Sequence, residues 1–249
     1  MHRPLILVVD DDPIVIKTVR RILQDNGFLV SEAMNGESAM QSAEAQNPDL
    51  VVLDIVMPGT NGFEVYRRLR ELYNVPVIML SAIDDVSTKV RCLDEGIDDY
   101  LTKPFSPDEL TARVKSVLRR SKVSPQASTQ HYIAKGEVKI DFDERRVTVL
   151  GKNVKLTPTE YAVLCELVNN AGKVLTHRYL LRTIWGPEYD REKEYLHVFV
   201  NRIRRKLSEH SPDKEFIGCA SGIGYVFRVN EDEAAHDTTP VTEESAKPA

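Results

Sequence analysis

Four carboxylates, a hydroxyl and a lysine stand at the ends of apolar runs, where a folded chain can bring side chains together. Asp10, Asp11 and Asp12 follow the run Leu5–Val9, and Asp54 closes the run 50–53. Ser81 and Ala82 close 77–80, and Lys103, with Pro104 after it, follows the weaker run 100–101. Each feature alone has an ordinary reading: acidic residues after a strand cap the next helix, and a single lysine is a solvated charge. Together they suggest chemistry. Clustered carboxylates repel unless a cation intervenes, and a hard divalent ion with oxygen ligands, Mg²⁺ above all, suits them. An aspartate beside such an ion can attack a phosphoryl group, with the lysine and the hydroxyl holding the phosphoryl oxygens.

The cluster requires neighbouring strands. The runs 5–9, 50–53 and 75–80, with weaker ones at 28–30 and 100–101, are continuous rather than alternating, as in parallel strands covered on both faces. Between them, 14–24, 38–45, 63–72, 86–94 and 107–118 space apolar residues three and four apart. Five strands alternating with five helices predict an α/β, doubly wound parallel sheet, whose ligands bind outside the carboxyl ends of the strands.

The chain has 249 residues, enough for two ordinary domains, and its charge divides it. Residues 1–120 carry 14 Lys+Arg against 19 Asp+Glu, whereas residues 121–228 carry 18 against 13. An acidic first half and a basic second half suggest different partners, the second a polyanion. Residues 121–131, SKVSPQASTQH, read as a linker, and the acidic stretch 229–249 reads as a disordered tail. Three cysteines, Cys92, Cys165 and Cys219, share no metal-ligand spacing and argue against a disulfide framework. The start turns acidic too early for a signal peptide, and no apolar run is long enough to span a membrane, so the expected location is cytoplasmic.

Residues 132–228 read as a smaller α+β domain. Alternating runs at 137–140 and 147–149 predict short antiparallel strands. Thr157, Pro158 and Glu160 then start a helix with a capping box, a second helix ends at Gly186-Pro187, and a third runs from about Glu192 to Ser208. Trp185 and Tyr161 have the spacing of core residues. On a helical wheel Leu196, Phe199, Val200, Ile203 and Leu207 form an apolar stripe. Opposite lie Glu194, Val198, Asn201, Arg202 and Arg205, flanked by Arg204 and Lys206. Amide, guanidinium and small apolar groups are the types that read base edges. A glycine-marked hairpin at 216–227 completes a winged helix-turn-helix, whose third helix would enter the major groove of double-stranded DNA.

The segments VVDDDP, LDIVMPGTNGFE, VIMLSA and DDYLTKPFSPDEL resemble the receiver domain of two-component response regulators. The segments LTPTEYAVLCELVNNAGKVLTHRYLLRTIWG, YLHVFVNRIRRKL and GIGYVF resemble the effector domain of the OmpR/PhoB subfamily, and WGPEYD and GIGY are most similar to KdpE-type potassium regulators. The resemblance implies that Asp54 accepts a phosphoryl group from a sensor histidine kinase. It implies Asp10 and Asp11 as the acidic pair and a Mg²⁺ held by Asp11, Asp54 and the backbone carbonyl of Val56. It also implies Ser81 and Tyr100 as switch residues and Lys103 as the phosphate-binding cation before a cis Pro104; Asp12 is then a helix cap. A homodimer would form through the fourth helix, fifth strand and fifth helix, a face carrying Lys89, Asp98, Asp99, Glu109, Arg113 and Lys115, with Lys89-Glu109 and Asp99-Arg113 as pairs. RNA polymerase is a further expected partner. One departure stands out: Ser221 occupies the place where many relatives have an arginine before the wing glycine, which shifts specificity towards the helix. Val56 and Ile83, apolar beside the site, would leave attacking water unpositioned and the phosphoryl group long-lived.

Two rivals share some of these residues. Asp10 and Asp12 form a DxD that resembles the nucleophile motif of haloacid-dehalogenase-type phosphatases, but that reading leaves Asp54, Lys103 and the basic domain unused. An orphan regulator that binds DNA regardless of phosphate would have no need of the complete acidic site.

Overall fold

The computed structural model describes residues 3–73, 75–82, 86–121, 132–190 and 192–228. Ile83, nearly all of the expected linker and the acidic tail lie outside the described residues.

The first domain is a parallel sheet of β1 (Leu5–Val9), β2 (Leu29–Ala33), β3 (Leu50–Asp54), β4 (Val77–Ser81) and β5 (Asp99–Thr102), in the order β2-β1-β3-β4-β5. The continuous apolar runs follow from two cores rather than one. Leu7, Val9, Val51, Leu53, Val77 and Met79 point to one face, beneath α2 (Gly36–Gln46), α3 (Gly62–Leu72) and α4 (Val86–Glu95). Ile6, Val8, Leu50, Val52, Ile78 and Leu80 point to the other, beneath α1 (Pro13–Asp25) and α5 (Pro107–Ser121). Alternate residues of a strand face opposite sides, so a central strand with helices on both must be apolar throughout. Local signals set the helix starts. Asp12 caps α1 by accepting from Ile14 N at 2.8 Å, with Pro13 at the first helical position.

The second domain opens with an antiparallel sheet of four strands, β6 (Tyr132–Lys135), β7 (Val138–Asp141), β8 (Arg146–Val149) and β9 (Lys152–Val154), where the sequence pattern showed two. The edge strands escaped notice because they are short and half exposed, so their alternation is weak. Next come α6 (Pro158–Asn169), a short β10 (Leu175–Thr176), α7 (His177–Ile184), a 3-10 turn at Pro187–Tyr189 and α8 (Lys193–Ser208). A hairpin of β11 (Ile217–Ala220) and β12 (Gly224–Phe227) pairs with β10. The capping box of α6 forms, with Thr157 and Glu160 each accepting from the other's backbone N–H. Trp185 and Tyr161 are buried. The three cysteines are free thiols, Cys92 and Cys165 buried and Cys219 exposed.

The two domains touch along α4 and α5 on one side and α6 and α8 on the other. Leu93 of α4 belongs to the hydrophobic core of the second domain. Among the described residues no helix is long and apolar enough to cross a membrane.

Candidate functional site

The carboxyl ends of β1, β3, β4 and the segment after β5 converge on one pocket. Asp10 and Asp54 are buried at the ends of β1 and β3, and Lys103 Nζ reaches both, at 2.7 Å from Asp10 Oδ2 and 2.6 Å from Asp54 Oδ1. The Lys103-Pro104 peptide is cis, and Lys103 N donates to Ser81 O at 2.7 Å, which ties the lysine to the end of β4. Val56 N donates to Asp54 Oδ2 at 3.0 Å, and Asp12 N to Asp10 Oδ1 at 3.0 Å. Oxygens of Asp10, Asp11 and Asp54 lie within 4.8 Å of one another, a hard-oxygen donor set of the kind Mg²⁺ takes. Gly62, at the start of α3, closes the back of the pocket: a Cβ there would stand 2.2 Å from the Asp54 carbonyl oxygen.

The electrostatics follow from crowding. Burial pushes the Asp54 carboxyl above its ordinary pKa, Asp10 adds repulsion, and the Lys103 ammonium opposes both. Burial alone would lower the lysine, but its hydrogen bonds to Asp10 and Asp54 outweigh this and hold it above its ordinary value. A lysine kept cationic beside a buried carboxylate is suited to an incoming anion. Ser81, buried at the end of β4, pairs with Thr102, and Tyr100 of β5, opposite Met79, is buried in the core beneath α2, α3 and α4. Val56 is 66 % exposed at the rim.

In the second domain the apolar stripe of α8 is buried as expected. The polar side differs. Asn201 and Arg205 are exposed, and Val198 is half-buried against the core. Arg204 is half-buried and donates twice to the Ile217 carbonyl, at 2.9 and 2.8 Å, over the Tyr225 ring. Lys206 pairs with Glu160 at 2.6 Å and with the Lys155 carbonyl at 2.9 Å. Arg202, expected opposite the stripe, is only 6 % exposed. The correction has a simple cause. Arg202 follows Tyr195 by seven residues and Phe199 by three, so it shares their side of the helix, and that side meets the first domain. His197, which sequence reasoning passed over, is exposed on α8 and bonds the Tyr225 hydroxyl of the hairpin through Nδ1.

Residues 6–115 match the family described as response regulator receiver domain, and residues 151–227 the family described as transcriptional regulatory protein, C terminal. KdpE of Mycobacterium tuberculosis is 38% identical over 223 residues, 90% of this chain and 98% of that protein. ResD of Bacillus subtilis is 38% identical over 229 residues, covering 90% and 95%. The chain is an OmpR/PhoB-type response regulator. A solved RitR mutant, C128S, shares the fold at TM-score 0.75 and 21% identity over 90% of this chain and 98% of its own. KdpE and ResD match at equal identity, so the likeness to KdpE-type regulators is one shared with ResD.

In this response regulator the effector domain covers the receiver face expected to pair with a second copy. Lys89 pairs with Glu192 of the effector, at 2.9 Å. Arg113 bonds Asp99 at 2.9 Å and Glu109 at 2.9 Å within the same chain. Asp99 is fully buried and also receives the hydroxyls of Tyr189 and Tyr195, the latter at 3.3 Å. Burial and the Asp99 charge push both phenols well above their ordinary pKa, so they remain donors. Asp98 accepts from Thr159 Oγ1 at 3.0 Å, and Arg119 donates to the Trp185 carbonyl at 2.9 Å. Sequence reasoning identified the charges of this face but not their partners, because nothing in a linear pattern marks Tyr189, Tyr195 or Thr159 as belonging to it.

Proposed function

We propose that this response regulator is switched by phosphorylation of Asp54 and then binds DNA as a dimer. An Asp54 oxygen forms a bond to phosphorus as the bond from phosphorus to the imidazole nitrogen of a sensor histidine kinase breaks, and the freed imidazole takes a proton. Lys103 and Ser81 hold the phosphoryl oxygens, and Tyr100 follows Ser81 as the second switch residue. Asp10, Asp11, Asp54 and the Val56 carbonyl would hold Mg²⁺, which when bound offsets the negative charge of carboxylates and phosphate. The single observation that carries this reading is the lysine bridging two buried carboxylates from different strand ends.

The working units are a receiver over 1–120 and a winged-helix effector over 132–228, with 121–131 as linker and 229–249 as an acidic tail. Phosphorylation frees the α4–β5–α5 face to form a symmetric homodimer, in which Asp98, Asp99, Lys89, Glu109 and Arg113 find partners across the two-fold axis. Two tethered effectors then gain avidity on tandem half-sites of double-stranded DNA, where α8 presents Val198, Asn201, Arg202, Arg204, Arg205 and Lys206. Contact with RNA polymerase follows from the role in transcription. Because the template is chromosomal DNA, the protein works in the cytoplasm.

Incubation with acetyl phosphate and Mg²⁺, read by phosphate-affinity electrophoresis, tests the acceptor. Wild type should gain a shifted band that Asp54→Asn and chelation of the metal both remove. A band of equal strength in Asp54→Asn overturns the reading.

A further inference from the structure

His197 lies on the stripe of α8 that faces outwards. Arg204 is turned to the Ile217 carbonyl and Lys206 to Glu160, whereas His197, Asn201 and Arg205 are exposed. These three follow one another at four-residue steps, so they share one face of the helix. His197 stands near the start of α8, the part that meets base edges when a reading helix enters the major groove.

Its imidazole is held in place. Nδ1 bonds the Tyr225 hydroxyl of β12, and the ring centroid lies 5.4 Å from that of His177 and 6.0 Å from that of Tyr225, edge to face in both cases. Tyr225 is clamped in turn. It is buried, and the Arg204 guanidinium sits 5.6 Å from its ring centroid while donating to the Ile217 carbonyl. The bond also selects a tautomer. Burial raises the Tyr225 pKa, with Cys219 adding to it and Arg204 opposing, so the phenol keeps its proton. Among the described residues the acceptor available to that O–H is His197 Nδ1. An O–H donated to Nδ1 places the proton of the neutral imidazole on Nε2. His197 is therefore an exposed ring with a fixed N–H donor, oriented by a tyrosine of the hairpin rather than by its own helix.

We propose that His197 is a base-reading residue of α8, whose Nε2–H donates to the O6 and N7 edge of a guanine in the major groove, with Tyr225 as its positioning residue. The inference deepens the assignment of α8 as the DNA-reading helix and rests on it. The chemistry selects guanine. Its major-groove edge presents two acceptors, whereas adenine sets an amino donor beside N7, cytosine presents an amino donor, and thymine sets a methyl group beside O4. A single donor locked in place is satisfied best by the base whose edge only accepts.

The test uses the full chain with acetyl phosphate and Mg²⁺, and sequences the duplexes that wild type, His197→Ala, His197→Gln and Tyr225→Phe each select from a random pool. Wild type should prefer guanine about tenfold at one position, the scale of a good base contact. His197→Ala should lose preference at that position alone. His197→Gln replaces a lone donor with an amide that both donates and accepts, and should move the same position towards adenine. Tyr225→Phe leaves the ring free to carry its proton on either nitrogen, and should flatten the guanine preference while the other selected positions stay as in wild type. A tyrosine with a purely structural role would instead weaken binding to every sequence alike. An unchanged base profile in His197→Ala and His197→Gln overturns the inference, and so does a uniform loss at all positions, which marks a phosphate contact. Because His197 is exposed, these two variants decide even if Tyr225→Phe does not fold. A wild type that selects no sequence at all overturns the reading of α8 and this inference with it.

Discussion

At the rim of the acidic pocket, Val56 offers a solvated aliphatic side chain where an amide could hold a water against phosphorus. The aspartyl phosphate should therefore persist, and Val56→Asn should shorten its lifetime roughly tenfold, the scale at which positioned proton transfer begins to matter. Following release of labelled phosphate from both proteins checks this; equal or slower loss in Val56→Asn would count against it. A second residue-scale expectation concerns His177, which packs its ring 5.4 Å from His197 and 5.5 Å from Tyr225, and whose Nε2 has no partner among the described residues. Burial lowers its pKa, helped by His197 and Lys193. An imidazole held neutral in the native state contributes stability that is complete above its unfolded pKa of about 6.5. That stability is lost as pH falls below this value towards the depressed native one. Urea midpoints should thus drop between pH 7.5 and 5.5 by more in wild type than in His177→Gln; identical drops would show that His177 is not responsible. The acidic pocket was legible because chemically distinctive residues end apolar runs and a parallel sheet gathers strand ends. The fate of Arg202 was not, since a helical wheel reports polarity and is blind to what docks against each side.

At the scale of elements, the start of α6 shows how far local rules reach. Thr157, Pro158 and Glu160 form in space the cap that their spacing announces, with Thr157 N donating to Glu160 Oε2 at 2.8 Å. Thr157→Ala should cost about 1 kcal/mol in urea unfolding, the usual scale for a lost N-cap side chain. No measurable change would mean that tertiary packing alone sets the helix start. Glu160 exceeds the local rule, because the carboxylate that completes the cap also grips Arg202 and Lys206 of α8. The four-stranded sheet marks the opposite case. Its edge strands gain their order from pairing, at Ala134 opposite Lys139 and Thr148 opposite Asn153, rather than from their own composition.

At the scale of the whole molecule, the proposed dimer would use the receiver surface that the effector domain covers. Asp99 and Arg113 are already satisfied by each other and by Tyr189, so a second copy gains access only when the effector withdraws. Asp54→Ala should abolish acetyl phosphate-driven dimerisation in sedimentation experiments while leaving weak DNA binding intact. Normal phosphate-dependent dimerisation in that variant would overturn the assignment of the acceptor. The charges of this face were readable as a set, yet their partners depend on how two domains meet, and that is decided by shape across about a hundred residues of separation.

The insertion of Leu93 into the effector core bears on how the protein tolerates being cut. A fragment beginning at Tyr132 would carry an empty greasy socket where that leucine sat, beside the bare tyrosines that face Asp99. Excised effector should consequently self-associate or stick to surfaces more readily than the intact chain, and shortening the gene to its reading head would trade away a built-in plug.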